Sequence, residues 1–121
     1  MRYALILLVF FSFYTFAEKS ECDTGLLKTT LECHYSELKK TELELQSVHS
    51  AISKKYESDK LFIGDFDKAR MQWEQSLKSS CGAVYSLWRH GSVKNIKWLQ
   101  CKRKLTIERI DFLNQEFVKL Q

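Results

Sequence analysis

The stretch Cys81 to Cys101, CGAVYSLWRHGSVKNIKWLQC, decides how this chain folds. Gly91-Ser92 interrupts a long helical pattern, and the two cysteines stand ten residues before and ten after Gly91. In an antiparallel helix pair both arms rise about 1.5 Å per residue, so positions equidistant from the turn come opposite each other. A disulfide needs Cα atoms roughly 4.4–6.8 Å apart, and equal arms supply that approach. The stretch therefore reads as a helical hairpin pinned across its waist. It is also lopsided in charge. From Gln75 to Ile107 there is no Asp or Glu, while Lys78, Arg89, Lys94, Lys97, Lys102, Arg103 and Lys104 supply seven bases. Function is expected on or near this hairpin.

Upstream of the turn, Ser58-Asp59 marks a boundary and Phe62, Phe66, Ala69, Trp73, Leu77, Cys81, Val84 and Trp88 keep a helical period for about seven turns. Gly64 weakens the start, so this helix is expected to settle from about Asp65, with Asp65 or Asp67 near its positive end. Downstream, Ser92 is expected to cap a third helix that runs to the C-terminus. Its apolar line is Ile96, Leu99, Thr106, Ile110, Leu113 and Phe117, and a second line holds Trp98, Cys101, Leu105 and Phe112. An arc that wide suits a helix packed on two neighbours. A first helix of more than twenty residues carries Leu31, Tyr35, Leu38, Leu45, Val48, Ile52 and Tyr56 on one face, with acids and lysines on the others. Thr29 or Thr30 is its expected N-cap. No alternating strand pattern occurs and there is no proline. The fold class is all-α, a disulfide-pinned bundle of three long helices with a short N-terminal helical segment.

Residues 1–17 read as a secretory signal peptide. Arg2 gives the positive start, Tyr3 to Phe16 is almost wholly apolar, and Thr15-Phe16-Ala17 ends it with small residues at the −3 and −1 positions. The run is shorter than the ~20 residues a spanning helix wants, so cleavage after Ala17 is expected to leave no membrane anchor. Residues 18–121 then form one small domain, periplasmic or secreted, that buries only a modest core. Its four cysteines, Cys22, Cys33, Cys81 and Cys101, imply two disulfides in an exported protein. Three pairings are possible. The waist argument favours Cys81–Cys101, which leaves Cys22–Cys33. Eleven residues on one straight helix would separate those two Cα atoms by about 16 Å, so the chain must turn back near Gly25 or Thr29-Thr30.

The order Cys…Cys…Trp73-x7-Cys81…Gly91-Ser92…Cys101-x3-Leu105-Thr106-x2-Arg109-x3-Leu113 resembles the LprI-type lysozyme-inhibitor N-terminal domain family, small exported helical proteins of bacteria. The resemblance spans Cys22 to about Phe117. It implies a helical fold that acts by binding a lysozyme or a related cell-wall hydrolase. The chain departs from the usual family pattern at Leu77-Lys78 and Arg70-Met71, and has Gln46 and His49 where an Asn and a Tyr are common.

Catalysis has little support. His34, His49 and His90 read as lying on separate elements, and no pair has metal-binding spacing. Gly64-Asp-Phe-Asp67 is too short for a calcium loop. There is no glycine-rich phosphate loop, no cofactor is implied, and export argues against a nucleic-acid partner. Trp73 reads as core and Arg109 as a partner for a carboxylate or helix end. Without Arg2 the chain carries a net +3, of which the hairpin holds +7 and the remainder −4. Two readings follow. An acidic first helix lies against the hairpin and neutralises it, or the hairpin presents a basic patch to an acidic envelope component such as a glycan, lipid headgroup or protein. The candidate binding residues are Trp88, Arg89, His90, Lys94 and Lys97, grouped about the turn.

Overall fold

The computed structural model describes residues 22–119. The expected signal peptide at residues 1–17 lies outside them. Three long helices form: α1 (Leu27–Lys55), α2 (Lys60–Leu87) and α3 (Lys94–Leu113), the last continued by one π-helical turn, Asn114–Val118. Among the described residues there is no strand.

Residues 22–26 form a turn, so the short N-terminal helical segment expected before the first long helix is not found among the described residues. Gly25 makes the reversal. Its φ of +77° lies in the left-handed region, where a side chain would be strained. This brings Cys22 back onto α1, with the Cα atoms of Cys22 and Cys33 5.3 Å apart. α1 starts at Leu27 without a side-chain cap. Thr30, one of the two expected caps, instead meets the Thr24 hydroxyl at 3.1 Å across the reversal.

α2 also begins earlier than Gly64 suggested. The Asp59 carboxylate accepts the Phe62 backbone N–H at 3.0 Å, and that cap holds the first turn despite the glycine inside it. At the hairpin, the Gly91 N–H donates to the Trp88 carbonyl at 2.8 Å. Val93, not Ser92, occupies the N-cap position of α3, again without a side-chain bond.

α3 packs along both other helices, as its two apolar lines require. It runs parallel to α1: His34 meets Gln100, and further along Tyr56 meets Phe117. It runs antiparallel to α2, where Trp73 lies by Arg109, Cys81 by Cys101 and Trp88 by Lys97. The Cys81 and Cys101 Cα atoms are 5.6 Å apart.

The core gathers toward the α1–α2 turn, where Leu45, Ile52, Phe66, Ile110 and Leu113 are buried together. Phe62, Phe66 and Phe117 close that end with ring centroids 5.4–5.6 Å apart. Ile52 and Leu113 are fully enclosed, and each such side chain contributes about 1.5–3 kcal/mol. The Tyr56 hydroxyl donates to the Phe117 carbonyl at 2.9 Å, tying α1 to the π-helical turn.

On α1 the buried line is His34, Leu38, Thr41, Leu45, His49 and Ile52. It is rotated from the expected stripe, and Tyr35 is 60% exposed. His34 and His49 thus share one helix, contrary to their reading as residues of separate elements. Ala69 and Trp88 of the expected α2 stripe are likewise exposed, because α2 has α3 along one side only.

Candidate functional site

The hairpin turn projects beyond the Cys81–Cys101 bridge. Trp88 closes α2, and its side chain, with those of Arg89 and His90, is exposed. Arg89 Nη1 donates to the Ser86 carbonyl at 2.8 Å, an acceptor at the helix end that also takes the Arg89 backbone N–H at 3.3 Å. A guanidinium has five N–H donors, so most of its capacity still faces outward. Lys97 Nζ lies 4.7 Å from the Trp88 ring centroid and Lys94 Nζ 5.8 Å from that of Tyr85. These contacts across the hairpin restrain two cations and two aromatic rings on its surface. Each is worth about 0.5–1 kcal/mol at an exposed site.

α1 neutralises only part of the basic segment. Glu42 pairs with Lys102 at 3.4 Å and Glu37 with Arg103 at 3.8 Å, both across α1 and α3. Glu37 also accepts from Lys40 at 3.1 Å, and that bond above all holds its carboxyl below the usual range. Among the described residues, Lys78, Arg89, Lys94, Lys97 and Lys104 have no carboxylate within ion-pair distance. The neutralising reading therefore holds for Lys102 and Arg103 and not for the other five bases. Lys94, Lys97 and Arg89 remain as an unpaired basic cluster around the turn.

The other residues of the Trp-Cys-Gly-Ser-Leu-Thr-Arg pattern lie along α2 and α3, away from the turn. Thr106 and Leu113 are buried, and the Thr106 hydroxyl donates to the Lys102 carbonyl at 2.7 Å. Leu105 is half-buried. Among the described residues Arg109 has no carboxylate within ion-pair distance. Its guanidinium carbon sits 5.8 Å from the Trp73 centroid and 5.3 Å from that of Phe112. Trp73 is half-buried and packs at the edge of the core.

Several grooves flank α1 that the sequence did not announce, and two of them stand out by their lining. One, of about 370 Å³, is lined almost wholly by apolar atoms of residues that include Leu31, Tyr35, Trp98 and Leu99. The other, of about 260 Å³, opens between α1 and α2 over Lys102 and mixes apolar walls, Leu45, Trp73 and Leu77, with charged and polar groups at its rim. His49 lines it, buried and with both ring nitrogens unbonded. Burial first, then the Arg70 and Arg109 charges, lower its pKa to about 4. His34 is also buried and lowered by burial, but it is hydrogen-bonded to Gln100 at 3.4 Å. The sequence held no advance signal of these grooves, because the rotation of α1 that turns its histidines inward is set by packing. Among the described residues no group of three or more His, Cys, Asp or Glu is placed to hold a metal ion.

Comparison with known proteins gives one finding. The family model described as "Lysozyme inhibitor LprI" matches residues 22–113. No curated protein and no solved structure matches.

Proposed function

This chain belongs to the lysozyme inhibitor LprI family, and from that membership we propose that it acts by binding, as an inhibitor of a lysozyme or a related cell-wall hydrolase. The observation that carries the reading is the family match across the whole disulfide-pinned bundle, from Cys22 to Leu113. We place the protein in the periplasm or outside the cell. Two disulfides need an oxidising compartment. Among the described residues no helix is long and apolar enough to cross a membrane.

The docking element in this proposal is the turn Trp88-Arg89-His90-Gly91-Ser92 with Lys94 and Lys97 behind it. A retaining lysozyme keeps two carboxyl groups about 5 Å apart in an open cleft. An inhibitor must offer them donors without offering a scissile bond. Arg89 would supply a charge-assisted bond to the ionised carboxylate and His90 a donor to the other. The Cys81–Cys101 bridge and the Lys97–Trp88 contact hold the turn before docking, which reduces the ordering cost of association. The five unpaired cations favour a second reading, an envelope module that holds an acidic glycan, lipid headgroup or protein.

A lysozyme turbidity assay separates the ideas. Arg89→Ala with His90→Ala should weaken inhibition at least tenfold, since a hydrogen bond to a charged group is worth about 1.5–3 kcal/mol. A folded double variant with undiminished inhibition would move the docking face to Lys94 and Lys97. Wild-type protein that inhibits no hydrolase, yet is retained by acidic envelope material, would replace the inhibitor reading by the second one.

A further inference from the structure

The cleft between α1 and α2, with apolar walls that include Leu45 and Leu77, contains polar groups that neither the packing nor the hairpin turn uses. At its back stands His49, 3% exposed, with neither ring nitrogen hydrogen-bonded. A neutral imidazole has one donor and one acceptor, and leaving both unmet in a buried position is costly. Almost all buried polar atoms in folded proteins find partners, so an orphaned pair lining a cleft points to a group that arrives from outside.

The walls specify what kind of group. The Trp73 indole lines the cleft, and Arg109 lies against the same ring at 5.8 Å from its centroid. Around it stand two ion pairs, Arg70 with Glu74 at 3.3 Å and Lys102 with Glu42 at 3.4 Å. Gln46 adds an exposed amide one turn from His49. The two pairs sum to zero charge. An anion entering here meets Glu42 and Glu74, and a cation meets Arg70 and Lys102. A neutral ligand whose groups both donate and accept satisfies every one of these partners at once. At about 260 Å³ the cleft is smaller than the roughly 300–1,000 Å³ of drug-sized sites, which limits the occupant to about one ring.

We propose that the α1–α2 cleft, walled by Trp73, His49 and Gln46 and flanked by the Arg70–Glu74 and Lys102–Glu42 pairs, binds one pyranose unit of an uncharged glycan. Each sugar hydroxyl is donor and acceptor together. The ring's polarised C–H face packs on the electron-rich face of an indole. The site is separate from the hairpin turn, so a chain anchored on glycan through this cleft keeps the turn free to meet a second partner.

The test is an NMR titration of the disulfide-intact protein with an uncharged trisaccharide of N-acetylglucosamine, maltotriose and anionic tri-galacturonate in parallel. The expected result is saturable shifts of the Trp73 indole N–H and of the Gln46 and His49 amides with an uncharged sugar, at a Kd of about a millimolar or tighter. Gln46→Ala with Glu74→Ala, both at exposed positions, should weaken binding about tenfold with an unchanged melting temperature and intact hydrolase inhibition. His49→Leu should weaken it too while the protein stays folded. Absence of shifts with both uncharged sugars overturns the proposal. So does tighter binding of tri-galacturonate, a map onto Tyr35 and Trp98, or full affinity in the folded double variant. Shifts of the cleft caused by a hydrolase and by no sugar would make it a protein interface instead.

Discussion

Acidification between pH 6.5 and 4 should destabilise this protein, and His49 is the largest single reason. Its ring packs 5.5 Å from Phe66, is 3% exposed, and has no hydrogen bond. The groups that face it are Arg70 and Asp67 and Glu74 of α2 and Arg109 of α3. The two arginines oppose protonation and the two acids favour it. Burial outweighs all four and takes the pKa from 6.5 to about 4.

The sign follows from proton counting. Between those values the unfolded chain binds a proton at His49 that the folded chain does not, so stability rises with pH. The contribution is fully present above about pH 6.5 and is lost as pH falls toward 4. One pKa unit is worth about 1.4 kcal/mol, which sets the loss at about 3 kcal/mol. His34, also lowered, adds to it in the same direction.

Replacement of His49 by Leu separates the two histidines. At pH 7 the variant should be about 1–3 kcal/mol more stable, because an unmet donor and acceptor leave the interior. Its melting temperature should then rise by roughly 4–8 °C per kcal/mol. Urea unfolding at half-unit steps from pH 4 to 7 measures both effects. The difference in stability between variant and wild type should widen steadily as pH falls. Parallel pH profiles would refute the argument, since they would mean that His49 takes up its proton equally in both states.

Cys101→Ser should cost about 2–4 kcal/mol by releasing a 20-residue loop in the unfolded chain. A thiol titration in denaturant should find one free cysteine, and a non-reduced peptide map of the parent protein should find Cys22 with Cys33 and Cys81 with Cys101. Trp73→Ala should cost about 2–3 kcal/mol in chemical denaturation, less than the 3–5 kcal/mol of an enclosed aromatic ring because the indole is half-buried. A loss under 1 kcal/mol would show that its contacts with Arg109 and the core contribute little. Against a cationic lysozyme, inhibition should strengthen from low to physiological salt, where screening shortens the repulsion to about 8 Å. Inhibition that weakens with salt would show that attraction dominates the approach.

Much of this architecture was legible because it is written in local spacing. The α3 line Ile96, Leu99, Thr106, Ile110, Leu113 and Phe117 meets the core residue by residue, Phe117 only in part. The ten-and-ten placement of Cys81 and Cys101 around Gly91 needs only the common rise of two helices. Helix ends were less legible. Asp59 lies just outside the apolar pattern, yet its carboxylate starts α2 at Lys60, five residues before the Asp65 start that Gly64 suggested.

What spacing does not contain is the rotation of one helix against another. On α1 the apolar stripe would have buried Tyr35, but packing on α3 turns the helix so that His34, Thr41 and His49 face inward. The same rotation sets Glu37 opposite Arg103 and Glu42 opposite Lys102, which decides which bases of the hairpin stay unpaired. It also leaves α1 and α2 apart over Lys102, where the cleft opens. Periodicity along a helix follows from 3.6 residues per turn and is fixed by the chain alone. Rotation and separation between helices follow from how side chains distant in sequence interlock, so only the folded bundle decides them.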